Sequence, residues 1–260
     1  MDVTIDGMRF NVRLDGPETA PVLMLSNSLS SNLAMWEPQM AAFTQRYRVL
    51  RYDQRGHGGT QISPRPFTMD RLADDAVAIL DALGIARAHV CGLSMGGMTG
   101  MSLLRRHGKR VDRAVLANTA AQMGPPDLWN QRIRTVRAGG MEAVVDATVE
   151  RWLTAGFRER APEAVAAIRG MILGTPQEGY AMCCAAIRDM DQREAIRTIE
   201  NPVLVVIGAH DPATTPQAGA IVEAAIPGAK ALTLDAAHLS NFEEAEAFST
   251  AVMEFLVEMP

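Results

Sequence analysis

The sequence predicts an α/β fold: a mostly parallel, eight-stranded sheet flanked by helices, with a helical insertion late in the chain. Three observations carry this expectation. Short apolar runs of the kind found in buried parallel strands recur at "PVLMLS" (21–26), "YRVLRYD" (47–53), "VDRAVLAN" (111–118) and "PVLVVIGAHD" (202–211). Helix-patterned segments separate most of these runs, as right-handed crossovers between parallel strands require. Between about 125 and 200 the strand runs vanish and only helical patterns remain.

The elements follow in order. "MDVTIDGMRFNVRLDG" alternates in polarity and turns at Asp6-Gly7, the signature of an antiparallel hairpin. "PVLMLS" is the next strand, and Trp36 to Gln45 reads as a helix. "YRVLRYD" runs into the turn-rich "QRGHGGT", and "DRLADDAVAILDALG" is a helix that stops at Gly84. "ARAHV" with Cys91 is a strand end, "MTGMSLLRRHG" a helix ending at Gly108, and "VDRAVLAN" a further strand. "GMEAVVDATVERWLTAGF" and "APEAVAAIRGMIL" are helical. After "PVLVVIGAHD" come a helix at "TPQAGAIVEAAIPG", a strand at "AKALTLD" and a closing helix at "NFEEAEAFSTAVMEFLVEM". These elements predict a single domain over 1–260, with a core of 1–124 and 201–260 and a helical lid at about 125–200.

Composition narrows the function. The chain has 260 residues, 48% hydrophobic and 21% charged, ordinary for a globular domain with a deep core. A net charge of −5 argues against nucleic acid or an anionic membrane as a partner. It leaves room for an anionic small substrate, which needs only a local cation. The three cysteines, Cys91, Cys183 and Cys184, form neither a disulfide framework nor a zinc motif. The N-terminus lacks the basic and apolar regions of a signal peptide, and no apolar run approaches a membrane span. A cytoplasmic protein with no metal site is expected.

One stretch carries chemistry. In "CGLSMGG" a serine stands between glycines at an abrupt strand-to-helix turn, and Gly92-x-Ser94-x-Gly96 fits the nucleophile-elbow pattern. Serine and glycine are also ordinary turn residues, so the assignment depends on partners: a base, and a carboxylate to orient it. Of the five histidines, His89 lies inside a strand and His107 at a helix end. His57 lies in the glycine-rich turn, and His210 is adjacent to the acid it would need. His238, after the last strand, is the best base. Asp211, just past the end of "VLVVIGAHD", is the acid. The end of the preceding strand offers only Asn118, and Asp235 is too close in sequence to His238. The developing oxyanion needs two backbone N–H donors. Met95, after the nucleophile, is one; Leu29, in the loop "NSLSSN", is the other.

With these residues in place, the sequence resembles the α/β-hydrolase superfamily along its whole length, and more narrowly the 3-oxoadipate enol-lactonases. The elbow, "VLRYDQRGHGGT" and the terminal histidine carry the broad likeness. "NSLSSNLAMWEPQM", "LANTAAQMG", "CCAAIRDMD" and "DAAHLSNFE" carry the narrower one. Many superfamily members have His-Gly where this chain has Asn27-Ser28, which leaves the conformation of that loop open. The resemblance implies a hydrolase without metal or organic cofactor that opens a small anionic enol-lactone to 3-oxoadipate in aromatic-compound catabolism. An arginine would hold the substrate carboxylate. Trp129 and Arg132, three apart on one helical face, suit the ring and the carboxylate; Arg134, Arg137 and Arg151 are alternatives, and tryptophan is also common packing. Two other readings stand beside it. One is a carboxylesterase or cofactor-free perhydrolase with the same machinery; the other is a non-catalytic protein that binds a small lactone.

Overall fold

The computed structural model describes residues 1–257. Asp6 and Gly7 both take positive φ (49° and 77°), the two-residue turn that matches strand twist. They join β1 (Asp2–Ile5) to β2 (Met8–Asp15), which pair antiparallel with Ile5 opposite Met8. The buried runs become β3 (Val22–Ser26), β4 (Arg48–Tyr52), β5 (Ala88–Leu93), β6 (Val111–Ala117), β7 (Val203–Gly208) and β8 (Lys230–Leu234). One eight-stranded sheet results, in the order β1-β2-β4-β3-β5-β6-β7-β8. β2 meets β4 antiparallel, and every pairing from β4 to β8 is parallel. The strand β7 is buried at every residue, which explains its unbroken apolar sequence.

The chain passes from β3 to β4 on one side and then returns to place β5 on the other side of β3. The crevice at such a reversal, beyond the carboxyl ends of the strands, is where open α/β sheets bind ligands. Six helices belong to the sheet layers: α1 (Glu37–Phe43), α2 (Met69–Ala82) and α3 (Met95–His107) early, then three more at the end of the chain. Between β6 and β7 lie α4 (Pro126–Gly139), α5 (Val145–Trp152), α6 (Ala155–Arg160), α7 (Pro162–Leu173) and α8 (Gln177–Asp189). The chain closes with α9 (Pro216–Ala225), α10 (Ser240–Glu243) and α11 (Ala245–Val257). α2 packs on α3, α1 on α11, and α4 on α8. Among the described residues, no helix is long and apolar enough to cross a membrane.

Two expected helices are broken, for local reasons. The run 140–157 divides into a short 3-10 turn, α5 and α6. Thr154 takes extended geometry and its side chain caps Phe157 N–H, while Glu243 accepts the Thr154 N–H. The closing run 241–259 divides at Glu244 (φ −122°) into α10 and α11, and its residues Glu258 and Met259 lie outside the described residues. The helix expected at Trp36 starts as a 3-10 turn, Leu33–Trp36, capped by the Asn32 side chain, before α1 begins.

Two close approaches set how the layers meet. A Cβ on Gly96 would lie 1.9 Å from the Ser26 carbonyl oxygen, so α3 begins hard against the end of β3. A Cβ on Gly179 of α8 would lie 2.0 Å from the carbonyl oxygen of Gly56, which itself takes φ 74°; the insertion therefore rests directly on the turn after β4. Gly96→Ala is expected to lower stability by at least about 2 kcal/mol in urea unfolding, because the obstructing atom is backbone and cannot swing away. Gly170→Ala, within α7 and with nothing within 4 Å of a new Cβ, should instead raise stability by about 0.5–1 kcal/mol.

Candidate active site

Ser94 follows the last residue of β5 and precedes the first of α3, with φ 58° and ψ −115°. A non-glycine residue at positive φ is costly, and such strain concentrates at functional sites. Here it is held by hydrogen bonds: Ser94 N–H donates to Ala117 O (2.9 Å), and Thr119 Oγ1 donates to Ser94 O (2.8 Å). Gly92 permits the reversal, since a Cβ there would meet the Gly96 carbonyl oxygen at 2.2 Å.

Asp211 leaves the end of β7 and His238 the end of β8. His238 Nδ1 lies 2.8 Å from Asp211 Oδ2, and both residues are 2% exposed. Besides His238, the carboxylate is surrounded by fixed donors. Its Oδ1 accepts from Ala213 N–H and Thr214 N–H; its Oδ2 accepts from Thr214 Oγ1 and from Asn118 Nδ2 at 3.2 Å. Burial raises its pKa, but the charge and hydrogen bond of His238 and the Thr214 hydrogen bonds outweigh burial and hold it below the ordinary value. Nδ1 faces the carboxylate and Thr214, which leaves Nε2 as the ring nitrogen available to exchange a proton with a reacting group. Trp152 packs against the ring, with centroids 6.0 Å apart. Glu243 ties this loop to the insertion by accepting from Ala237 N–H as well as Thr154 N–H.

Ser94 and His238 line one cavity of about 410 Å³ between the strand ends and the insertion. Among the described residues no hydrogen bond joins Ser94 Oγ to His238, a common situation before substrate arrives. Leu29 lines the same cavity, in the loop after β3. Among the described residues, no hydrogen bond runs from the Leu29 N–H or the Met95 N–H to an acceptor in the protein. Trp129 and Arg132 also face the cavity, with the guanidinium 5.2 Å from the indole ring. Arg134 and Arg137 do not: Arg137 pairs with Glu178, and both lie at a separate surface depression. Arg151 does line the cavity, so that two of the four arginines considered from sequence are brought there.

The remaining histidines find other uses. His210 pairs with Asp235 (2.7 Å) and His107 with Asp74 (2.7 Å). His89 is half-buried against Tyr47. His57 is buried beneath the Leu29 loop, where its Nε2 accepts the Ser30 N–H at 3.0 Å. Sequence pattern does not reveal this role. Nor does it show that the loop residue with positive φ is Ser30 (φ 56°) rather than Ser28. The turn bearing His57 is fixed by a buried two-pronged pair, Arg55 Nε to Asp75 Oδ2 (2.5 Å) and Nη2 to Oδ1 (2.6 Å).

Sheet order, elbow and helical insertion together define an α/β hydrolase. The chain belongs to that family: a family model described as the alpha/beta hydrolase fold matches residues 21–159. Within it, the chain is similar to 3-oxoadipate enol-lactonase 2 of Acinetobacter baylyi, 38% identical over 96% of this chain and 94% of that one. It also resembles the solved enol-lactonase from Burkholderia xenovorans LB400, with a TM-score of 0.97 and 45% identity over 99% of this chain and 100% of that chain. A thermophilic esterase from Thermogutta terrifontis is further off, with a TM-score of 0.91 and 26% identity over 98% and 96%. Hydrolase chemistry on an ester-like bond is thus common to these relatives.

Burial pushes the His57 imidazole down from 6.5 to about 4, against a smaller upward pull from the Arg55 carbonyl. The folded protein therefore prefers His57 neutral, while the unfolded chain takes up a proton near its ordinary pKa. The resulting stability is complete above about pH 6.5 and is lost as pH falls toward 4, by about 3 kcal/mol in all. In His57→Gln, whose side-chain oxygen can still accept the Ser30 N–H, chemical unfolding from pH 7 to pH 4 should show that much less loss than the parent.

Proposed function

We propose that this protein is a serine hydrolase that opens the ring of 3-oxoadipate enol-lactone, a small anionic lactone, to give 3-oxoadipate in aromatic-compound catabolism. The observation that carries the reading is that His238, hydrogen-bonded to Asp211, lines one cavity with the strained Ser94 and with arginine side chains. The enol-lactonase names of the similar proteins support it.

In this reading Ser94 Oγ attacks the lactone carbonyl as His238 Nε2 takes its proton. Asp211 keeps Nδ1 protonated and stabilises the imidazolium that forms. The oxyanion is received by the N–H groups of Leu29 and Met95, which need no rearrangement at that moment. Collapse of the tetrahedral intermediate breaks the ring C–O bond. The departing oxygen leaves as an enol(ate), protonated by His238, and becomes a ketone, which removes the nucleophile that could close the ring again. Water, deprotonated by His238, then attacks the acyl-enzyme and releases the acid. Trp129 covers the ring and Arg132 holds the substrate carboxylate; the helices of 125–200 act as the lid over both. The chemistry needs no metal or organic cofactor, and the setting is the cytoplasm.

A carboxylesterase activity is the second reading, favoured by the fold shared with the Thermogutta esterase. A comparison of kcat/KM on the enol-lactone and on a panel of neutral aryl esters separates the two; rates higher on neutral esters than on the lactone would replace the first with the second. Ser94→Ala should remain folded and lose hydrolysis of either substrate by on the order of a millionfold in kcat. Turnover retained in that variant would remove Ser94 from the mechanism.

A further inference from the structure

The lining of the cavity has an unusual charge balance. It includes Arg132 from α4 and Arg151 from α5, and it includes no aspartate or glutamate. Neither guanidinium forms an ion pair among the described residues. Among the described residues Arg151 donates only to the neutral Thr148 Oγ1, at 3.2 Å, and Arg132 rests on the Trp129 ring. Three acids of the insertion pair with other arginines: Glu178 with Arg137, Asp146 with Arg169, and Asp189 with Arg188. Glu150, next in sequence to Arg151, attracts it less than Tyr180 does and less than Arg132 repels it.

Two like charges facing one enclosed space repel each other, and the loss of water around them adds to the cost. Both effects are visible at Arg151, whose pKa lies below the ordinary arginine value through burial first and the charge of Arg132 second. Arginine is held in its charged form under all ordinary conditions, so deprotonation offers no relief. A protein that needed these residues only for packing would gain by placing a carboxylate beside them or by using an uncharged side chain. A ligand bearing its own negative charge supplies the missing partner, and two planar forks can share one carboxylate across its two oxygens.

From this geometry we infer that Arg132 and Arg151 together form an anion clamp for a carboxylate on the ligand, and that Arg151 determines specificity for charged over neutral substrates. The inference rests on the hydrolytic reading of the Ser94 cavity for the identity of the ligand, though not for its charge. A carboxylate docked between the two guanidiniums leaves the other end of the ligand to reach Ser94 in the same cavity. The clamp thereby uses a non-reacting group of the substrate to orient the reacting one. A neutral ester gains nothing from it and leaves the repulsion in place.

The test separates binding from turnover. In the Ser94→Ala background, calorimetric titration with adipate and with its uncharged dimethyl ester measures recognition without hydrolysis. Arg151→Gln and Arg132→Gln are each expected to weaken adipate at least tenfold and to change the dimethyl ester less than twofold. Arg151→Lys should recover part of the adipate loss, since it restores charge but not the fork. Raising the salt concentration should weaken adipate and leave the ester alone. With Ser94 intact, Arg151→Gln should raise KM for the enol-lactone at least tenfold and leave KM for a neutral aryl ester within twofold. Equal effects of Arg151→Gln on adipate and the ester, or none on either, would overturn the clamp. If the glutamine variant does not fold, Arg151→Lys replaces it, and an equal effect on both ligands, or none on either, again overturns the clamp. Charge-selective binding of adipate in a protein that does not turn over the lactone would support the clamp and overturn the proposed reaction. Lactone turnover with KM indifferent to Arg151 would do the reverse.

Discussion

The backbone at Ser94 is the constraint from which the rest of the structure follows. A φ of 58° and ψ of −115° is a conformation that a residue with a side chain avoids, and it persists only where its surroundings over-determine it. The surroundings are the sheet itself. The Ser94 amide is held by β6 through Ala117, its carbonyl by Thr119 just beyond β6, and α3 is pressed against the end of β3. Each restraint comes from a strand on one side or the other of β5, so the elbow requires β5 to be central. The reversal in strand order around β3 makes it so. The place of the Ser94 side chain at the cavity, the crevice in front of it and the position of the neighbouring loops are consequences of one tight turn between parallel strands.

The loop after β3 shows the same economy. Ser30 is strained as well, and its amide is held by a histidine that burial keeps uncharged. A protonated imidazole would have no lone pair to offer at Nε2, so the low pKa and the hydrogen bond from Ser30 depend on each other. Leu29 is the residue before it, so the peptide that His57 holds includes the Leu29 carbonyl. Restraint passes from the Arg55–Asp75 pair to the turn, from the turn to His57, and from His57 to the loop. The Arg55, Asp75 and His57 side chains are all buried, and none of them lines the cavity.

What could be read from sequence and what could not divides along the range of the interactions. The hairpin at Asp6-Gly7, the strands and the elbow depend on residues a few positions apart, and local pattern reports them. Ser94, Asp211 and His238 lie far apart in the chain. They were legible because each sits just past the end of a strand, and parallel strands bring those ends to one edge. Arg132 and Arg151 are different. Both lie on helices of the insertion, whose packing is set by contacts such as Gly56 against Gly179, more than a hundred residues apart in sequence. No spacing rule connects Arg151 to Ser94, and Arg134 and Arg137 look no different from it in the sequence. The breaks within 140–157 and 241–259 have the same origin, because Glu243 joins the two segments where both depart from helix.

The ends of β6 and β7 lie side by side, and residues just past each touch the loop after β8 that carries His238. The chain has a carboxylate at one and a carboxamide at the other, and the choice is physical. Asp211 Oδ2 accepts from His238, Thr214 and Asn118 together. A carboxylate at Asn118 would replace the last of these donors with a second negative charge in a buried space. One of the two would then have to be protonated, and the pair would share its charge between two places around the imidazole. The amide avoids this: its nitrogen donates to Asp211 and to the Ala237 carbonyl, while its oxygen accepts from Ser240. Asn118 thus joins the acid, the strand end and the segment carrying His238 without adding charge. It does so from a positive φ of 43°, a conformation that asparagine tolerates better than most residues. The residue that is not an acid is part of what keeps the acid in one place.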